Sequence, residues 1–305
     1  MKRIAYNARG IYRVWRLAQA AQAGEPKRSK AERYRMPRQW MLAMGHDLLL
    51  KHQRSIVTDS ALAVRSLPRS PVVEGLEHLP SSGSFILATN HCQRKDLWIG
   101  WAISLLIDSI DRQRQDHPVP HVVATDRAVF DGFTVPGSRW LFERVALAWN
   151  LVLVTPPEAG RYEPGGSRRS ALRQCLNMLQ RQGDRTVYFA FAPEGLAGTA
   201  RGLGEAVPGS GRALLALAGH GLPIVPAVVW EEAPGKLHAR FGPIWQPAPP
   251  PAVRENRAAL DAWGREQVMR RLAALLPAAL RGRYEPLGDG RSYGALDTSD
   301  PGAAV

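Results

Sequence analysis

Residues 90–96 read NHCQRKD, an imidazole and a carboxylate five positions apart at the end of an apolar run. Histidine exchanges a proton near neutral pH, and an acid beside it fixes the tautomer and stabilises the imidazolium. On an ideal helix, residues five apart lie about 140° around the axis and do not face each other. Pairing His91 with Asp96 therefore needs His91 at the end of a strand and Asp96 in the first turn of the next helix. The pattern predicts that boundary, because SFILAT at 84–89 reads as a strand and LWIGWAISLLI at 97–107 as a helix. The free ring nitrogen of His91 can then take a proton from a hydroxyl nucleophile, and the Asn90 amide can brace the turn. The plain alternative is a histidine and an aspartate that only cap a helix start. Cys92 is a rival nucleophile, although cysteine is common as a small buried residue.

FAFAPEG at 189–195 repeats the layout, a strand that leaves the core at a polar turn. Pro193 ends the strand, Glu194 places a carboxylate at its edge, and Gly195 permits close backbone approach. Glu194 can accept hydrogen bonds from a polyol or position an acceptor hydroxyl. An ordinary turn is the alternative.

The elements that hold these two turns alternate. Strands are expected at 72–75, 84–89, 121–125, 151–155, 186–191, 223–230 and 236–242, with helices at 97–107, 137–147, 171–182, 210–219 and 254–280. The pattern predicts an α/β fold, a largely buried mixed sheet flanked by helices, with a basic helical N-terminal extension. One helix is expected over 38–66, with Trp40, Met41, Met44, Leu48 and Leu49 on or near one face. The division expected is a membrane-surface segment over 1–70, a catalytic domain over 71–282 and a flexible tail over 283–305. No internal repeat is present.

The chain has 305 residues and a net charge of +13, unevenly spread. Residues 1–70 carry 15 Lys/Arg against four acids, +11 of that total. A basic extension on a near-neutral body points to an anionic partner, lipid or nucleic acid. Ile4, Ile11, Tyr12 and Trp15 among the arginines fit a short basic amphipathic helix, with Arg13, Trp15 and Arg16 at a membrane surface and Trp40 also at the interface. Two cysteines, Cys92 and Cys175, argue against a disulfide framework and fit a reducing compartment. No Cys/His spacing resembles a zinc site, so no metal is expected. No signal-peptide form and no apolar run of about 18–20 residues occur. The expected location is cytoplasmic, peripheral on the inner face of the membrane.

Taken in order, VEGLEHLP, FILATNHCQRKD, FAPEG and GHGLPIVPAVV resemble the glycerolipid acyltransferase family, the lysophosphatidate acyltransferase-like proteins, over roughly 72–245. The resemblance implies transfer of a fatty acyl group from a thioester, acyl-CoA or acyl carrier protein, to a hydroxyl of a lipid acceptor. It makes His91 the general base, Asp96 its orienting partner, and Glu194 and Gly195 acceptor-binding residues, with no acyl-enzyme and no cofactor beyond the thioester co-substrate. Arg139 and Arg144, in GSRWLFER, are the candidates for gripping an acceptor phosphate, though not in the family's usual spacing. After Gly195 the chain continues Leu196-Ala197-Gly198 where the family commonly has Thr-Arg; Thr199 and Arg201 are the nearest substitutes. The acceptor is accordingly a lysophospholipid or a lipid alcohol without phosphate. Arg94 and Lys95 can meet head groups or CoA phosphates. The rival readings are a non-catalytic lipid-surface protein, a thioesterase using the same base with water, and a nucleic-acid binder. The last lacks any recognition-helix or aromatic-basic strand signature, so no nucleic acid is expected.

Overall fold

The computed structural model describes residues 32–92, 97–130, 133–155, 166–195 and 202–284. Asp96, the basic residues Arg13 and Arg16 with Trp15, the segment after Gly195 and the tail from residue 285 lie outside the described residues.

Seven strands form one sheet in the order β1-β9-β8-β2-β7-β3-β6. They are β1 Val72–Glu74, β2 Phe85–Thr89, β3 Val119–Thr125, β6 Val152–Val154, β7 Val187–Phe191, β8 Ile224–Ala233 and β9 Lys236–Phe241. A two-residue hairpin, β4 Val129–Phe130 and β5 Phe133–Thr134, stands apart. The five strands β8, β2, β7, β3 and β6 are parallel, while β9 folds back antiparallel on β8 and β1 pairs parallel with β9. The chain is therefore α/β with a mixed sheet. β2, Phe-Ile-Leu-Ala-Thr, is buried at every position, the continuous apolar run of a strand covered on both faces.

Helices cover both faces. On one, α2 (Ile56–Arg65) and α3 (Ile99–Gln113) supply Ala63, Leu105, Leu106 and Ile110, packed on Phe85, Leu87 and Tyr188. On the other, α5 (Gly166–Arg181), α6 (Ser210–Ala218) and α8 (Arg257–Leu275) supply Cys175, Leu214 and Leu272, packed on Ile86, Ala88 and Phe189. The remaining helices are α1 (Arg38–Leu50), α4 (Ser138–Trp149) and the short α7 (Pro251–Arg254).

The single helix expected over 38–66 is two. Lys51 takes a left-handed conformation (φ 62°) that ends α1, and Ser55 caps α2 by accepting from the Thr58 N–H at 3.1 Å. Between them, the Arg54 N–H donates to the carbonyl of Ala148, which docks the break on the end of α4. Nor does α1 bury one apolar face: only Met44 is buried, and Met41, Leu42, Leu49 and Leu50 are more than half exposed.

Chain order sets the position of the site. From β2 the chain crosses by α3 to β3, beyond β7; from β7 it crosses by α6 to β8, on the opposite side of β2. Adjacent strands whose connections depart in opposite directions leave a crevice beyond their carboxyl ends, where ligands of open α/β sheets bind. Asn90-His91 follows β2, and Pro193-Glu194-Gly195 follows β7.

Candidate functional site

The β2–β7 register pairs Ala88 with Phe191. Three residues further along both strands, the same offset sets His91 opposite Glu194. The His91 backbone N–H donates to Glu194 Oε2 at 2.5 Å, and the Gly204 N–H donates to Oε1 at 2.5 Å. A carboxylate only 7 % exposed thus joins the turn after β2 to the segment before α6. Burial raises the Glu194 pKa, against the lowering effect of the two N–H donors. The sequence expects this carboxylate on the acceptor, whereas here both its oxygens are taken by backbone.

Gly195 turns the chain at φ 68°, and a Cβ there would sit 3.1 Å from both methyls of Val207. The Val207 N–H donates to the Pro193 carbonyl at 2.9 Å, so the Pro-Glu-Gly turn is fastened at two levels.

Asn90 fastens the other side. Its amide donates to the Val229 carbonyl at 2.9 Å and accepts from the Val229 N–H at 2.8 Å, extending the β2–β8 ladder with a side chain. Val229 is fully buried, so Asn90→Ala orphans two backbone groups. The expected cost is about 2–3 kcal/mol, read by urea denaturation; an unchanged midpoint would contradict this account of the turn.

Held between these clamps, His91 has a buried Nδ1 with no hydrogen-bond partner among the described residues. Burial pushes the imidazole pKa down to about 4, so the ring is neutral at pH 7. A folded-state value below the ordinary one means that the unfolded chain binds a proton the native state refuses. The contribution is present above about pH 6.5 and lost as pH falls towards the folded value, of the order of 3 kcal/mol in full. Glu194 runs the opposite way, its raised pKa costing stability as pH rises. The His91 part is therefore read against His91→Gln: between about pH 7 and about pH 5 the variant should lose less stability than wild type. Equal losses would sink the assignment.

A cavity of about 380 Å³ opens along the carboxyl ends of β2, β7, β3 and β6. Its wall runs from His91 and Gly195 past Trp101 and Phe189 to Phe142 and Leu151, and it is predominantly apolar. A polar exception in the wall is Asp59, which accepts from Trp40 Nε1 and Trp149 Nε1 at 2.7 Å each and from Arg54 Nε at 2.8 Å. Burial opposes ionisation of Asp59, but bonds from Arg54, Trp149 and Trp40 hold it below the usual carboxylate range. This knot joins α1, α2 and α4. Trp40, expected at a membrane interface, is drawn into it because its indole N–H finds a buried acceptor there.

Arg139 and Arg144 are not brought to the cavity wall. Arg139 pairs with Glu143 at 2.9 Å on an exposed face of α4, and Arg144 stacks over Trp140 at 5.4 Å. The same helix turns Phe142, Val145 and Trp149 to the cavity instead. Sequence reasoning missed Val229, Gly204 and Asp59. Val229 and Gly204 act through backbone groups, which leave no residue-type signal; for Asp59, Arg54 five residues before it was a weak one, while Trp149 is 90 residues away in sequence.

No family model and no curated protein matches the chain. Among solved structures, it is similar to the 1-acyl-sn-glycerophosphate (LPA) acyltransferase PlsC from Thermotoga maritima at 18% identity. That likeness has a TM-score of 0.42 and covers 79% of this chain and 84% of the other. A likeness of that degree carries no argument about chemistry, which rests here on the site itself.

Proposed function

We propose that the protein transfers an acyl group from a thioester, acyl-CoA or acyl carrier protein, to a hydroxyl of a lipid acceptor. The observation that carries this reading is an imidazole with a buried, unpartnered Nδ1 in the wall of a large, predominantly apolar cavity, beyond the carboxyl ends of β2 and β7. The cavity volume lies within the range of small-molecule sites, and its lining suits a hydrocarbon chain.

In the proposed step, His91 removes the acceptor hydroxyl proton as the oxygen attacks the thioester carbonyl. The C–S bond of the tetrahedral intermediate then breaks, and the thiolate leaves with the proton from the imidazolium. No acyl-enzyme forms. Asp96 is the orienting carboxylate in this proposal, acting on the ring nitrogen that is not facing the acceptor. Glu194 acts through the His91 backbone and is a positioning residue, while Gly195 lets the second turn approach the cavity. Since Arg139 and Arg144 are engaged elsewhere, the reading does not require a phosphate on the acceptor.

The acceptor is drawn from a membrane surface. Among the described residues no helix is long and apolar enough to cross a bilayer. α1 and α4 pack together and expose Met41, Leu42, Leu49, Leu50 and Leu147, while Trp98 stands half exposed at the cavity. With the basic residues of 1–70, including Arg13 and Arg16, this supports reversible docking on anionic lipid. The double variant Leu42→Asp/Leu49→Asp should bind anionic vesicles at least about tenfold more weakly, two buried apolar contacts being lost. Unchanged sedimentation with vesicles would remove α1 from the docking surface.

The reaction type is tested by thiol release from acyl-CoA, measured with and without acceptor lipids in anionic vesicles. Acceptor-dependent release supports transfer. Equal release in both overturns it in favour of hydrolysis.

A further inference from the structure

The end of α1 gathers a second set of ligand-type side chains, outside the cavity. His46 Nδ1 and His52 Nδ1 both lie 3.3 Å from Asp47 Oδ1, and each of the three side chains offers one ligand atom within 4.8 Å of the other two. The two imidazoles meet edge to face with centroids 5.8 Å apart.

The two N···O separations fit shared metal ligation as well as long hydrogen bonds. N–H···O bonds cluster at about 2.9–3.0 Å, whereas ligand bonds of about 2.0–2.1 Å to a tetrahedral ion set neighbouring ligand atoms about 3.3–3.4 Å apart. Asp47 also divides its oxygens in the way a monodentate ligand would. Oδ1 faces both histidines, and Oδ2 is held by Arg54 Nη1. Arg54 in turn is shared with Asp59, whose Oδ1 accepts from Nη2 at 2.6 Å, so its positive charge is matched by a second carboxylate. That is the outer support a metal-binding carboxylate needs.

The backbone fixes the arrangement in advance. The left-handed residue Lys51 reverses the chain after α1, and the His52 N–H donates to the Asp47 carbonyl at 2.9 Å. His52 is thereby returned over the last turn of the helix. The spacing His-Asp-x4-His has no meaning on a continuous helix, which is why a search for paired Cys/His spacings does not find it.

We propose that His46 Nδ1, His52 Nδ1 and Asp47 Oδ1 form a binding site for a divalent ion of the zinc class, with water in the fourth position. Imidazole and carboxylate are ligands for Zn²⁺ and for its probe Co²⁺. The ion clips the corner between α1 and α2, whose Arg54 reaches the cavity wall through Asp59. This does not depend on acyl transfer.

The test uses the full chain without a histidine tag, stripped by chelator. Zn²⁺ is titrated calorimetrically and Co²⁺ by visible absorption, in wild type, His46→Ala, His52→Ala and the double variant. The expected result is one ion per chain, the intense visible bands of four-coordinate Co²⁺, and at least about a tenfold weakening in each single variant. Zn²⁺ should also raise the melting temperature of wild type and not of the double variant. Both histidines are exposed, so the variants are expected to fold, and circular dichroism checks this. Absence of binding in wild type, or equal binding in the double variant, overturns the site.

Discussion

Glu194→Gln is expected to lower kcat by about a hundredfold while leaving the acceptor KM within about twofold. The carboxylate accepts one backbone N–H on each oxygen, His91 on Oε2 and Gly204 on Oε1. A glutamine has one acceptor, so its NH2 group must face one of those N–H donors. The loss is one charge-assisted bond, about 1.5–3 kcal/mol, plus a donor–donor contact at the residue that positions the base. A shift of the order of 1 Å in a reacting group can cost about two orders of magnitude in rate. The alternative expectation from sequence, Glu194 on the acceptor, predicts the reverse pattern: a raised acceptor KM with kcat largely kept. Initial-rate kinetics over acceptor concentration separate the two, and a pure KM effect would return Glu194 to the substrate.

His91→Ala is expected to lower acyl transfer by at least about a hundredfold, the usual scale of a lost general base. The variant is informative because the turn does not depend on the imidazole. Glu194 holds the His91 backbone N–H, and Asn90 holds Val229, so both clamps survive truncation. An inactive variant that melts like wild type therefore reports chemistry, not unfolding. A fully active one would leave the enclosed imidazole without a part in the reaction.

Much of the fold was legible because the signals were local. The runs of β2 and β7 are buried and apolar, the alternation of strands and helices predicted an α/β sheet, and Asn-His and Pro-Glu-Gly marked where two strands leave the core. What the sequence could not show was adjacency. Residues 91 and 194 meet because β7 inserts between β2 and β3 in the register Ala88–Phe191, and register is a property of the assembled sheet. The break after α1 was missed because helix propensity continues through His52 and Gln53. The left-handed Lys51 and the bond from Arg54 to Ala148 are set by packing against α4. The two arginines of α4 are suggested by the resemblance of GSRWLFER to a phosphate-gripping motif, and the helix turns Phe142 and Trp149, not the charges, to the cavity.

The central claim, that His91 serves acyl transfer to a lipid hydroxyl, is tested most directly with radiolabelled acyl-CoA or acyl carrier protein. Each is incubated with anionic vesicles carrying a panel of acceptor lipids, wild type beside His91→Ala. The account predicts label in one acceptor class with wild type and at least about a hundredfold less with the variant. Equal label in both, or none with either donor while both proteins bind the vesicles, would contradict it.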